Sequence, residues 1–205
     1  MSPMFYFFLA LTAVLAATAS ALTPVLDTDG DIIFHGRYYV LPVFRGQGGG
    51  VTLTNPNFRP CPRGHIVQEK SEVENGIPVR FSNWKPRVGF VPETEDLNIK
   101  TDSGQVLCRR DNYWRVDEFD TGNKNWFLVS AQKPTPDNAF RSYFQIQKVG
   151  NNLNAYKIMF CPGACIDVGI FVDENSVRRL ALTNEPFLVM FKKANETTTT
   201  MVETM

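Results

Sequence analysis

The sequence predicts an all-β fold. Three observations carry that expectation. Short β-type runs recur at near-regular spacing, separated by clusters of Gly, Pro, Asn and Asp. Behind residue 21, no long stretch shows the 3.6-residue apolar period of a helix. Aromatics are plentiful, with 16 Phe, which suits a bulky core. Eleven or twelve such strands imply a barrel or a sandwich, and composition alone leaves both open.

The elements follow in chain order. Residues 1–21 read as a secretory leader. Phe5 to Ala17 is almost wholly apolar, and Ala19-Ser-Ala21 is a small-residue cleavage site. The n-region lacks Lys and Arg, a departure from the usual leader. The apolar run is short of the ~20 residues that a spanning helix needs. No later segment could cross a bilayer as a helix, so the mature chain is expected to be soluble. Asp27 to Asp31 is a turn cluster, because Asp and Gly tolerate tight and left-handed backbone. Strands are predicted at Tyr38–Phe44, Val51–Leu53, Val79–Phe81, Leu97–Ile99, Tyr113–Val116 and Trp126–Val129. They continue at Tyr143–Ile146, Tyr156–Phe160, Val168–Val172, Arg179–Leu182 and Leu188–Phe191. Residues 194–205 read as a disordered tail with too little apolar material to pack. Asn195-Glu-Thr197 within it is a glycosylation sequon.

Charge and motifs exclude several functions. Lys plus Arg equals Asp plus Glu, 21 each, which argues against nucleic acid or an anionic membrane as partner. Gly46-Gln-Gly-Gly-Gly50 is not a phosphate loop, since no Gly-Lys-Ser/Thr and no helix follows. It reads as a flexible hairpin loop. His35 and His65 are the two histidines, and neither has a nucleophile elbow nearby, so an enzyme is not expected. Four cysteines behind a leader suggest disulfides, with three possible pairings. Cys161-Pro-Gly-Ala-Cys165 can close a small loop around a Pro-Gly turn, which would leave Cys61 and Cys108 for each other. No His lies near Cys161 and Cys165, so no metal site is expected.

One segment is far more specific than the rest. Val25, Asp27, Asp29, Gly30, Asp31, Ile33, Tyr39 and Leu41 fill every specified place of a known pattern. That pattern runs apolar, any, Asp, any, acidic, Gly, polar, any, apolar, five of any, Tyr, any, apolar. It resembles the opening signature of the plant Kunitz family, the soybean-trypsin-inhibitor type. Later motifs follow in family order: Val40–Gly46, Trp126–Val129, Tyr156–Pro162, Asp167–Ile170, Arg178–Leu182 and Phe187–Lys193. The resemblance covers nearly the whole of residues 22–193.

The resemblance implies a β-trefoil of twelve strands in three pseudo-repeats over residues 22–193. The repeats map only loosely onto Tyr38–Val91, Leu97–Ala131 and Ser142–Phe191. It also implies pairing of the first cysteine with the second and the third with the fourth, hence Cys61–Cys108 and Cys161–Cys165. The sugar-binding motif of other trefoils, a repeated Gln-any-Trp, is missing around Trp84, Trp114 and Trp126. The basic patch of growth-factor trefoils is missing as well.

Ser82 to Glu93 occupies the family's reactive-loop position. Gln68, Glu72 and Gly76 anchor the alignment before it, and Phe90, Leu97 and Lys100 after it, with one extra residue between. Aligning back from Phe90 places Arg87 at the primary specificity residue and Val88 just after the scissile bond. Aligning forward from Gly76 places Pro86 there instead. Arg87 is preferred, because a guanidinium can pair in fork geometry with the carboxylate at the base of a trypsin-type pocket. Lys85 is the rival basic residue, but Pro86 follows it and lacks an N–H. Pro86 and Pro92 should stiffen the loop. The family commonly has an Asn in its amino-terminal segment that hydrogen-bonds to this loop. Here His35 stands in its place, with different reach and protonation.

The resemblance thus implies a secreted, monomeric inhibitor of trypsin-like serine endopeptidases with a role in plant defence. It would lie in the extracellular space or the vacuole and need no cofactor. The alternative is a non-inhibitory storage, stress or ligand-binding protein of the same fold.

Overall fold

The computed structural model describes residues 22–54, 64–85, 88–102, 111–150 and 154–195. It carries twelve strands and one single-turn 3-10 helix, Ala139–Ser142. The strands are β1 (Tyr38–Pro42), β2 (Val51–Thr54), β3 (His65–Gln68), β4 (Val79–Ser82), β5 (Asn98–Thr101) and β6 (Tyr113–Asp120). They continue with β7 (Asn125–Ala131), β8 (Phe144–Lys148), β9 (Tyr156–Phe160), β10 (Ile166–Val172), β11 (Arg178–Thr183) and β12 (Val189–Lys193). Each of the eleven expected runs contains a strand. The twelfth, β3, was not foreseen: it is four residues long and begins just after Gly64.

The strand pairing closes. Ten strands form one antiparallel ring in the order β1, β4, β5, β6, β7, β3, β11, β10, β9, β12 and back to β1. Closure removes the free sheet edges that an open sheet would present. Two strands lie outside this ring, β2 paired with β3 and β8 paired with β9.

This corrects the expected β-trefoil with three pseudo-repeats. A threefold pairing would give β2, β6 and β10 equivalent neighbours. Instead β6 and β10 each join two strands, whereas β2 joins one. Likewise β4 and β12 each join two strands, and β8 joins one. The reason lies in irregular backbone that occupies the two missing edges. Val51 O in β2 accepts from Ile77 N at 2.9 Å. Phe144 in β8 exchanges two bonds with Leu97, at 2.8 and 3.0 Å, and Thr94 N donates to Ile146 O at 2.9 Å. These backbone groups of β2 and β8 are thus satisfied by loop segments in place of a further strand. The all-β class stands, and its architecture is a closed ten-strand barrel with two added strands.

The core explains the aromatic content. Trp114, Phe144, Tyr156 and Phe191 are fully buried. Trp114 and Phe144 meet edge to face, as do Phe81 and Phe191. The polar tips are satisfied: Trp114 Nε1 donates to Thr101 Oγ1 at 2.9 Å, and Tyr156 OH accepts from Leu26 N at 2.8 Å. Full burial of each such side chain contributes roughly 1.5–3 kcal/mol.

The amino-terminal segment is a strap on this barrel. Asp27 Oδ1 accepts from Asp29 N at 3.0 Å and Asp31 N at 2.9 Å, and Gly30 takes φ of 86°. The Asp27–Asp31 cluster is therefore the turn its residue types predict. It doubles the chain back, so that Ile33 N bonds Val25 O at 2.9 Å.

Candidate functional site

The β4–β5 connection is the loop that the resemblance singles out, and its base is firm. β4 and β5 pair from Val79–Thr101 to Ser82–Asn98, with Phe81, Ile99 and Leu97 buried beneath. Asn83 then turns the chain out at φ of 64°, a left-handed conformation that Asn tolerates. Its amide donates to Asn98 Oδ1 at 3.1 Å. Buried Asn98 in turn donates to Ser142 O at 2.7 Å, which ties the loop base to the 3-10 helix.

The loop exit is held by the amino-terminal strap. Val25 N donates to Val91 O at 2.9 Å, and Val91 N donates to Ile33 O at 2.8 Å. Glu93 N donates to Thr23 O at 2.8 Å, and Pro24 bridges Pro92. Val91 and Pro92 are buried, whereas Lys85 and Gly89 are exposed. The Glu93 carboxyl is pushed above its ordinary range, chiefly by burial, and its Oε1 has no hydrogen-bond partner.

Between these fixed ends, the Trp84 side chain links the two described sides of the loop. Trp84 Nε1 donates to Val88 O at 2.9 Å, bracketing Lys85, Pro86 and Arg87. His35 lies flat against the Trp84 indole, with ring centroids 5.6 Å apart and planes 29° apart. His35 was expected beside this loop as a hydrogen-bond donor, and the contact it makes is a ring stack. Pro86 and Arg87 lie outside the described residues. Trp84 was missed as a site residue, since the sequence reading weighed it only against a sugar-binding motif. The available signal was an indole donor at the loop entrance, four residues before Val88.

The remaining residues singled out by sequence lie elsewhere. Cys161 and Cys165 are joined by a disulfide between β9 and β10, with Cα atoms 4.1 Å apart. Cys61 and Cys108 lie outside the described residues. Asn195 is exposed, and its carbonyl accepts from Arg37 Nη2 at 3.3 Å. The preceding residue, Ala194, is buried and donates its N–H to Arg37 O at 2.8 Å. His65 sits on β3 in a separate cavity with Arg179 and Asp173, where burial and then the Arg179 charge push its pKa below the ordinary value. Among the described residues, no three His, Cys, Asp or Glu side chains converge as metal ligands would.

The barrel thus holds the described parts of the β4–β5 loop on both sides of the exposed, basic Lys85. Comparison with known proteins identifies the class. A family model described as "Trypsin and protease inhibitor", of the legume Kunitz type, matches residues 25–193. Kunitz trypsin inhibitor 4 of Arabidopsis thaliana is 53% identical over 206 residues, covering 96% of this chain and 94% of that protein. Miraculin of Synsepalum dulcificum is 36% identical, covering 92% of this chain and 94% of its own length. Among solved structures, soybean trypsin inhibitor in complex with porcine pancreatic trypsin aligns with a TM-score of 0.70 at 28% identity. That alignment covers 84% of this chain and 100% of the matched one. The chain belongs to the plant Kunitz-type protease-inhibitor family.

Proposed function

We propose that this protein inhibits trypsin-like serine endopeptidases by presenting Lys85, Pro86, Arg87 and Val88 as a substrate-like segment. Arg87 enters the specificity pocket, and Val88 follows the scissile bond. The protein is an inhibitor and not an enzyme. It follows the secretory route, to the extracellular space or the vacuole, after loss of residues 1–21. A second bridge, Cys61–Cys108, and a glycan on Asn195 belong to the same reading.

The observation that carries the proposal is the Trp84–Val88 bond across the arc, with His35 stacked behind the indole. A segment restrained on both sides has less conformational entropy to lose when a protease closes on it. The same restraint keeps the two ends together after attack, which favours re-formation of the peptide bond over release. The Arg87 guanidinium supplies a charge-assisted, forked contact to a buried carboxylate. His35 takes the supporting place that a family Asn usually fills, and it supports through the indole.

Titration of the mature protein against trypsin tests this. Arg87→Ala should abolish inhibition, because truncating a hot spot of this kind costs at least ~2 kcal/mol. Lys85→Ala should reduce it modestly, as an exposed charge outside the pocket contributes little. Full trypsin activity at micromolar wild-type protein would sink the reading and favour the storage or stress-protein alternative.

A further inference from the structure

Two large apolar side chains stand exposed on one short stretch of the amino-terminal strap. Ile32 is 39% exposed and Phe34 51%, while Ile33 between them is fully buried. The buried Ile33 anchors the stretch, so the exposure of its neighbours belongs to a fixed backbone. The Phe34 backbone also bonds the hydroxyl of buried Tyr38. Apolar side chains scattered singly on a surface need no explanation, but these two have a particular neighbourhood. Ile33 O accepts from Val91 N at 2.8 Å, at the exit of the Asn83–Glu93 loop. His35 stacks on Trp84, at the neck of the same loop. Phe34 stands in the chain between these two contacts, so it borders that loop.

The presented segment alone is too small for the complex it has to make. Protease–inhibitor complexes cover about 800 Å² on each partner, spread over roughly 20–30 residues. Lys85, Pro86, Arg87 and Val88 are four residues. Most of the covered surface must therefore come from segments that adjoin them. Behind Val88, exposed Gly89 and half-buried Phe90 lead to Val91. The segment bonded to Val91 is the strap, through Val25 and Ile33. Interface centres are enriched in aromatic side chains and depleted of Lys, Glu and Asp. The stretch Ile32–His35 has that composition, with Phe34 at its most exposed point and no Lys or acid in it.

We propose that Phe34 and Ile32 are covered by the bound protease and extend its contact surface on the side of the residues that follow the scissile bond. This rests on the reading of Arg87–Val88 as the presented bond, because only then do Gly89 to Val91 lead away from it towards the strap. The occupant is the apolar rim of the enzyme's cleft on that side. Phe34 is the main contact, being the larger and more exposed side chain, and Ile32 is the lesser one. Covering them removes apolar surface from water without desolvating a charge. The backbone beneath is already fixed, so little ordering entropy opposes the contact.

The test measures the inhibition constant and the dissociation rate of the trypsin complex for the mature protein and its variants. Phe34→Gln should raise the inhibition constant about tenfold, mostly through faster dissociation. Ile32→Gln should raise it about threefold, since less of that side chain is open to cover. Phe34→Leu should recover most of the loss, because the contact is apolar. Both Gln variants should melt within about 2 °C of wild type, as exposed positions do. The Trp84 indole N–H resonance and the rate of loop cleavage on long incubation should not move, since the brace is untouched. An inhibition constant unchanged by Phe34→Gln, with wild-type inhibition intact, would overturn the proposal and leave the Arg87 reading standing. A rise accompanied by a shifted Trp84 resonance and faster cleavage would also overturn it, placing Phe34 in the brace. A wild type that elutes as a dimer, and as a monomer after Phe34→Gln at equal inhibition, would assign the face to a second copy instead. A wild type that leaves trypsin fully active would overturn the Arg87 reading and this contact with it.

Discussion

Two loops on this barrel achieve rigidity in opposite ways. The glycine-rich segment Gly46–Gly50 is clamped backbone to backbone. Gly49 N bonds Glu69 O and Gly50 N bonds Glu74 O, both at 2.8 Å, while Glu69 N returns a bond to Gly50 O at 2.9 Å. The Glu72 carboxylate accepts from Gly46 N. Gly49 and Gly50 are buried, and a Cβ on Gly50 would collide with the Asn75 carbonyl. The Asn83–Glu93 loop, in contrast, is restrained at its ends and across its neck by the Trp84 side chain. The first buries the backbone at Gly49 and Gly50, whereas the second leaves Lys85 and Gly89 exposed. Backbone clamping makes a structural corner. End restraint with a side-chain brace makes a presented peptide.

Breaking the clamp should give the largest stability effect. Gly50→Ala places a methyl where the Asn75 carbonyl stands, and Gly76, at φ of 74° against Val51 O, is no freer to yield. Overpacking of this kind should cost roughly 3 kcal/mol. For a chain of this size that is a fall of roughly 6–12 °C in melting temperature, read by calorimetry. Trypsin inhibition per folded molecule should not change, since no contact of the Asn83–Glu93 loop is touched. A loss of inhibition without a loss of stability would mean that the two loops are not independent.

Breaking the brace should do the reverse. Trp84→Phe keeps a ring for His35 and removes the N–H that holds Val88 O. One net hydrogen bond is worth about 1 kcal/mol, so the inhibition constant should rise about fivefold. The melting temperature should fall by no more than about 4 °C. The variant should also be cleaved faster on long incubation with trypsin, because the arc is no longer bracketed. His35→Ala should be weaker still, about twofold in inhibition, since it removes a stack and no hydrogen bond. An effect of His35→Ala larger than that of Trp84→Phe would reverse the proposed order of support.

The same contrast marks what could be read from the residues alone. The Asp27–Asp31 turn was legible because its chemistry is local: one carboxylate accepts two nearby amides, and one glycine takes positive φ. Strand positions were legible from aromatic and β-branched runs. The glycine run was misread as a flexible loop. Glycine permits both a loose chain and the closest backbone approach, and only the partner segment Glu69–Ile77 decides between them. Strand β3 and the breaks in threefold pairing were hidden for a similar reason, since they depend on which distant backbone fills an edge. In the candidate site, the basic segment was legible through the family resemblance. Its brace was not, because the Trp84 indole gains its role only when folding brings Val88 and His35 beside it.

The smallest effect sharpens the comparison at the loop exit, where Glu93 is held by the strap. Its carboxyl is pushed upward mainly by burial, with the Lys148 backbone and charge opposing, and Oε1 is unpartnered. A carboxyl whose folded pKa lies above its unfolded value binds a proton more tightly in the native state. Its stabilising contribution is fully present below the unfolded value of 4.5 and is lost as pH rises through the folded pKa. Above its folded pKa the wild type bears a charge in a partly buried site that Glu93→Gln would not. The variant should melt slightly higher than wild type at pH 7, with the gap closing as pH falls towards 4.5. Calorimetry across that range reads it. A gap that stays constant with pH would show that the substitution acts through packing, and a wild type that melts higher at pH 7 would show that the Glu93 charge supports the loop exit in place of opposing it.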